Sequence, residues 1–597
     1  MSRLPERTKP LDRGRSFLGA AAMGMFMLAS RCLGLLRDIN TASVMGLSGS
    51  LAMDAFACAF RVPNIARRFF EEGIFGLTFI PVFSQYLKTD RRAARRLAAR
   101  YLADGLLLGL GAALFLELTA AGAWLIFRPA EGKLWYNILR FGSLMFPYLV
   151  FVVPAAQAAA VLQGLGRFRM AGFMPLLFNL IWLAVLYFVS PLGIYLPMKI
   201  APCTLSVLGV SAATLHPAGR GAVLSLSIAG ISAVKFLALL AYLRWLRRRA
   251  GETSPFFASF VSPEKIREIR TALRAVWRRL APVALVIFFL QLNMLLATLL
   301  AVLFSGSSVP LFSAVPGVDA LFAGTTGRGA ASALYFGERL YEFPLSLVGV
   351  TVGTAFYPLL SRRALEKDRS GYAVDFTAAL RLVVLLAIPS GIGLALLANP
   401  LSNLFFAHGA ASAADSARIA RITFCFACGV PAFCLTAFLN WALMAISDLR
   451  TPLLAGMISI PLFLAAALLG VHTLGEGGLA LAVSLASWGQ AALLLRRARR
   501  EISSAEFRLF TKTFLASAAA SAVMGLGIAA ERIFLHGSAL ITQKMPVTSA
   551  SAGLAADLAA GITLFFLVIL FLDPEWGKKG VRLLARRIFG RKEPSDR

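Results

Sequence analysis

At 597 residues the chain is long enough for several soluble domains, yet it is 58% hydrophobic and only 15% charged, and its mean hydropathy of +0.74 excludes a soluble globular protein. Sixty Lys and Arg against 30 Asp and Glu give a net charge of +30. The basic residues cluster in short stretches between apolar segments, which fits membrane orientation and contact with anionic lipid, not nucleic acid.

The fold class expected is an all-α polytopic membrane protein. Apolar runs of about 20 residues or more place fourteen spans at 16–39, 52–86, 96–127, 140–163, 170–190, 221–246, 280–304, 331–361, 375–407, 418–446, 452–472, 477–495, 509–530 and 552–573. The basic stretch 1–15 before the first run has the look of a secretion signal, but Arg31 inside the run and the thirteen spans behind it favour an uncleaved helix. Alternate loops carry the charge: Lys88 to Arg96, Arg167 and Arg169, the run 244–249 with 265–279, Arg362 to Lys367, 496–500 and 578–592. These face the cytoplasm, with both termini, by the positive-inside rule, while 40–51, 191–220 and 305–330 face outward. The six cysteines lie mostly inside apolar runs, so no disulfide framework is expected. Cys425 and Cys428 have metal or redox spacing but no His or acid beside them, and packing accounts for them better.

An internal repeat is visible. Gly76-Leu-Thr-Phe-Ile-Pro-Val-Phe-Ser84 recurs as Gly353-Thr-Ala-Phe-Tyr-Pro-Leu-Leu-Ser361, offset by 277, and Leu162 to Arg169 recurs as Leu443 to Arg450, offset by 281. Six spans separate the copies, an even number, so the halves have parallel topology and should surround a central cavity. The organisation expected is a six-helix lobe at 1–250, a second at 264–500, an appendage of two helices at 505–575 and a basic cytoplasmic tail at 576–597.

Ionisable residues stand where lipid should forbid them. The first span holds Arg31, Arg37 and Asp38; the second holds Asp54, Arg61, Arg67, Arg68, Glu71 and Glu72; the eighth holds Glu338, Arg339 and Glu342. As one helix, residues 52–86 would extend about 52 Å against a hydrocarbon core of about 30 Å. Asp54, Arg61, Arg68 and Glu72 then form a stripe, with Arg67 and Glu71 an adjacent pair and Pro63 a kink. Each charge at the bilayer centre costs about 2.5–3.5 kcal/mol unless it meets water or a partner. Six arginines against six acids could simply neutralise one another. What favours a ligand is the guanidinium itself, whose planar fork suits phosphate oxygens, so an anionic, phosphate-bearing substrate is inferred. No Walker loop, His-Glu-x-x-His or Gly-x-Ser-x-Gly occurs, and the loop at 40–51 lacks the acids that a membrane glycosyltransferase needs, so transport without covalent change is expected.

Ser-Arg-x-Leu-Gly-x-x-Arg-Asp at 30–38, Asp-Ala-Phe at 54–56, Pro-Asn-x-x-Arg-Arg-x-Phe-x-Glu-Gly at 63–73, Phe-Ile-Pro-Val at 79–82 and Glu-Arg-Leu-Tyr-Glu-Phe-Pro at 338–344 closely resemble the bacterial lipid II flippases of the MurJ (MviN) family. That family lies in the multidrug/oligosaccharidyl-lipid/polysaccharide exporter superfamily, and the likeness runs through the first twelve spans. It implies movement of lipid II, undecaprenyl-diphosphate-linked disaccharide-pentapeptide, to the outer leaflet of the inner membrane for peptidoglycan assembly. It assigns diphosphate binding to Arg31, Arg37, Arg67 and Arg339 and makes Asp38, Asp54 and Glu72 cavity carboxylates. Arg61, Arg68, Glu338 and Glu342 are further cavity candidates. The lipid tail would run along the last two helices, and the peptidoglycan synthesis machinery is an expected partner. No cofactor or metal is expected. Some similar proteins bind sodium through acids in the seventh and eleventh spans, but neither span here contains one, which leaves membrane potential or protons as drivers. The rival readings are a flippase for another polyprenyl-diphosphate glycan and, further off, a cation-coupled drug exporter, which would want a carboxylate-dominated cavity.

Overall fold

The computed structural model describes residues 12–48, 51–71, 74–189, 194–195, 199–200, 216–249, 263–305, 325–536 and 547–574. Within them the chain is helical but for an antiparallel bridge, β1 (Ile194–Tyr195) with β2 (Lys199–Ile200). It divides into two compact units, Met1–Gln291 with Ser307–Asp319 and Leu292–Gly306 with Ala320–Arg597.

The first unit contains α1 (Asp12–Met45), α2 (Leu51–Glu71), α3 (Ile74–Thr89), α4 (Arg91–Phe127), α5 (Leu134–Met145), α6 (Tyr148–Gly164), α7 (Phe168–Val189), α8 (Pro217–Arg249) and most of α9 (Pro263–Leu303). The second contains the rest of α9, α10 (Ala330–Leu345), a π-helical turn (Ser346–Val350), α11 (Thr351–Leu365), α12 (Arg369–Phe406), α13 (Ala413–Ala427), α14 (Val430–Ala445), α15 (Arg450–Leu474), α16 (Glu476–Ala498), α17 (Ser504–His536) and α18 (Val547–Leu572). Among the described residues ten helices are long and apolar enough to cross a membrane, and two bent pairs, α5 with α6 (40°) and α13 with α14 (51°), qualify together.

Every expected span falls on helix, and one expectation changes. The described residues of 52–86 form α2 and α3, with Glu72 and Gly73 between them outside the described residues. At about 32 Å, α2 alone matches the hydrocarbon thickness, and it runs through Pro63. The basic stretch 265–279, expected as loop, is the first part of α9. Its many Arg and Lys are good helix formers whose long stems let the charge reach water while the backbone stays helical.

Corresponding segments of the repeat pack on corresponding partners within their own units. In the first, α2 packs on α5, α3 and α4 on α6, and α6 on α8; in the second, α10 packs on α13, α11 and α12 on α14, and α14 on α16. The turns after α6 and α14 are alike in detail. The amide of Arg167 donates to the Leu162 carbonyl at 2.8 Å and that of Asp448 to Leu443 at 3.0 Å, each across a left-handed residue, Gly166 (φ 74°) and Ser447 (φ 63°). Where α15 meets α16, a Cβ on Gly478 would run into the Gly470 backbone, so the two helices approach at glycine.

Outside the repeat, α17 and α18 are fastened to α12. Arg381 donates through Nε to Thr513 at 2.7 Å and through Nη2 to Asp573 at 3.1 Å, and Thr513 donates to the same carboxylate at 2.8 Å. Further along, Arg532 pairs with Asp557 and donates to the Leu396 carbonyl at 3.2 Å. Between these ion pairs lies an apolar cluster that includes Leu385, Ala520, Met524 and Phe565.

Candidate functional site

In the first unit the charged residues of α1 and α2 are drawn inward. Arg37 and Asp38 are buried, and the guanidinium directs Nε and Nη2 to Asp38 Oδ1 at 2.9 and 2.7 Å and Nη1 to Asn179 Oδ1 on α7 at 3.1 Å. The Asn179 amide donates in turn to the Ser30 carbonyl at 2.7 Å and hydroxyl at 3.1 Å, which fixes α7 against α1. The Arg37 guanidinium lies 4.7 Å from the Trp182 ring centroid and 5.9 Å from that of Phe178, a geometry that favours a desolvated cation. Lys235 of α8, buried at 3% exposure, faces the same Phe178 ring with Nζ at 5.5 Å.

Asp54 and Arg61 are both buried on α2, two turns apart on one face. Farther along α2, Arg67 and Arg68 are half-buried. Arg67 donates to Asn64 on its own helix at 3.1 and 3.3 Å, and Arg68 to Gln291 on α9 at 3.2 Å. Arg31 is half-buried. Glu72, expected as a cavity carboxylate, lies outside the described residues, as does the side chain of Glu71.

In the second unit Glu338 and Arg339 are buried on α10. Arg339 Nη1 donates to Glu342 at 2.6 Å, one turn on, and its guanidinium lies 4.5 Å from the Tyr335 ring centroid. Tyr341 is packed against Phe426 and Phe433 at 4.8 and 4.7 Å, which occupies its faces, whereas Phe343 is exposed.

These arginines, with Asp38 and Glu342 beside them, were singled out from the sequence, but Asn179, Trp182 and Lys235 were not. Asn179, Trp182 and Lys235 were all visible as anomalies: Asn179 is the lone amide side chain of α7, Trp182 follows one turn later, and Lys235 is the only Lys, Arg, His, Asp or Glu between positions 221 and 243. Among the described residues no group of three His, Cys, Asp or Glu side chains could hold a metal. Cys428 donates to the Phe424 carbonyl at 3.5 Å. Each unit thus presents a buried guanidinium held by a carboxylate, a donor set that can exchange its oxygen acceptor for a phosphate oxygen.

The family model described as lipid II flippase MurJ matches residues 41–547. A probable lipid II flippase MurJ of Vibrio cholerae is 28% identical over 483 residues, covering 79% of this chain and 80% of the relative. The lipid II flippase MurJ of Burkholderia cenocepacia is 25% identical, with coverage of 80% and 82%. Among solved structures, one titled lipid II flippase MurJ, inward closed conformation, matches with a TM-score of 0.65 at 17% identity over 93% of this chain and 99% of its own. An inward-facing multidrug resistance MATE family transporter matches at 0.57 and 13% identity over 82% and 99%, a likeness of fold alone.

Proposed function

This chain belongs to the lipid II flippase MurJ family, and on that footing we propose that it carries lipid II from the inner to the outer leaflet by alternating access. It is a multi-span inner-membrane protein of bacterial type and a transporter, not an enzyme. The observation that carries the reading is the pair of buried arginines, each held by a carboxylate on its own helix: Arg37 on Asp38 at 2.7 Å and Arg339 on Glu342 at 2.6 Å. A diphosphate competes with such a carboxylate for the donors of the guanidinium. Arg31, Arg37, Arg67 and Arg339 then bind the diphosphate, and Asp38, Asp54, Glu72 and Glu342 hold the arginines when it has left. The exchange supplies the difference in affinity between states that transport requires.

The layout proposed is fourteen spans in two six-helix repeats, with the last two helices as a path for the lipid tail and both termini in the cytoplasm. Paired bends in α5–α6 and α13–α14 support the repeat, as do the matching turns at Gly166 and Ser447. Loop charge supports the orientation. Membrane potential or protons drive the cycle.

In cells depleted of their own lipid II flippase, the wild-type gene restores growth and Arg339→Ala does not at equal membrane level, with lipid II accumulating in the inner leaflet. Full complementation by Arg339→Ala removes the diphosphate role. Failure of wild type together with altered surface glycan export moves the substrate to another polyprenyl-diphosphate glycan.

A further inference from the structure

A cavity of about 410 Å³ lies between α4 and α5 in the first unit, apart from the arginine site, lined by Glu117, Trp124, Leu139, Arg140, Ser143 and Leu144 among others. It opens on a surface made for lipid. Only 17% of the apolar stretch of α4 is buried, and Phe115, Leu118, Leu125 and Ile126 around Glu117 stand exposed, Leu118 at 72%. Trp124 meets Tyr136 with ring centroids 4.9 Å apart, three residues from the end of α4 and two from the start of α5. Aromatic pairs so placed mark the membrane–water interface. Glu117 is two helical turns inside that pair and Arg140 one turn inside it.

A carboxylate on a lipid-facing helix is costly unless something answers its charge. Arg140 lies across the same cavity, yet among the described residues neither it nor Glu117 is ion-paired with the other or with a third group. An unlike pair held apart across a volume that size matches a guest with both charges. An anionic lipid satisfies Arg140 and sets its charge against Glu117; a zwitterion with N–H donors satisfies both, and its acyl chains continue over Leu118 and Leu144 into the bilayer. We propose that this cavity binds the headgroup of an amine-bearing zwitterionic phospholipid, phosphate on Arg140 and ammonium on Glu117. The site stands independently of lipid II transport.

The test is native mass spectrometry of the purified full chain in detergent, titrated with palmitoyl-oleoyl phosphatidylethanolamine and with phosphatidylglycerol of the same chains. Wild type binds the first phosphatidylethanolamine about tenfold more tightly, the worth of one charge-assisted contact. Glu117→Gln brings the two lipids level, Arg140→Gln weakens both, and Arg140→Lys keeps most of the affinity. Equal binding of the two lipids to wild type, a comparison that needs no variant to fold, overturns the proposal. A preference that persists in Glu117→Gln overturns it as well, since the lipid is then annular.

Discussion

Whether Arg37 grips a ligand or only glues α1 to its surroundings is decided by removing it in two ways. Arg37→Met alone takes from Asp38, 2% exposed, the guanidinium that sends it two hydrogen bonds, and breaking a buried pair by deleting one member costs about 3–5 kcal/mol. Arg37→Met with Asp38→Leu deletes both charges and keeps the volume, a change that is often close to neutral. What remains is the lost donor to Asn179 Oδ1, about 1–3 kcal/mol. The single variant is therefore expected to lose most of its thermal stability in detergent and the double variant to recover at least half of that loss. Complementation of a flippase-depleted strain then separates the roles. If the arginine binds diphosphate, the double variant is stable, present in the membrane and inactive. Growth restored by the double variant shows that neutralisation is the whole role of the pair, and the diphosphate reading of Arg37 is refuted.

The same logic gives the opposite result at Arg381. Asp573→Ala, which strands the buried guanidinium, lowers stability by about 3–5 kcal/mol, while Arg381→Met with Asp573→Leu recovers stability and complements, as scored by melting and growth. Ser447→Gly, relieving a left-handed serine where the matching turn already has Gly166, raises stability by about 1 kcal/mol, and Gly166→Ser lowers it by as much, both read by thermal melting. Asp368, outside the spans at the start of α12, has its carboxyl held below the usual range by the Gly371 amide first and then by Ser370 and Arg363. A depressed folded value means stability present above the unfolded value of about 3.9 and lost as pH falls through the folded one, so Asp368→Ala flattens the acid limb of the stability–pH curve and leaves its neutral limb parallel to wild type.

The helices were legible because lipid demands long apolar runs, and their boundaries were not, because a basic stretch such as 265–279 is as good a helix as a loop. Ionisable residues at membrane depth were legible as types and positions. Their distant partners were not legible: Asn179 reaches Arg37 from 142 residues away.

That division between local and distant partners separates ion pairs by how readily they open. Arg37 and Arg339 are held by carboxylates one and three residues away, whereas Arg381 and Arg532 are held by carboxylates 192 and 25 residues away, on other helices. A pair closed within a single helical turn opens by side-chain rotation and leaves the backbone where it was. A pair closed between helices, with its charges buried, opens only if the helices part or an unpaired charge is left in an apolar interior. Sequence distance between the partners thus reports how easily the guanidinium is released to a ligand. By that measure the arginines of α1 and α10 are suited to exchange, and those that join α12 to α17 and α18 are suited to fasten.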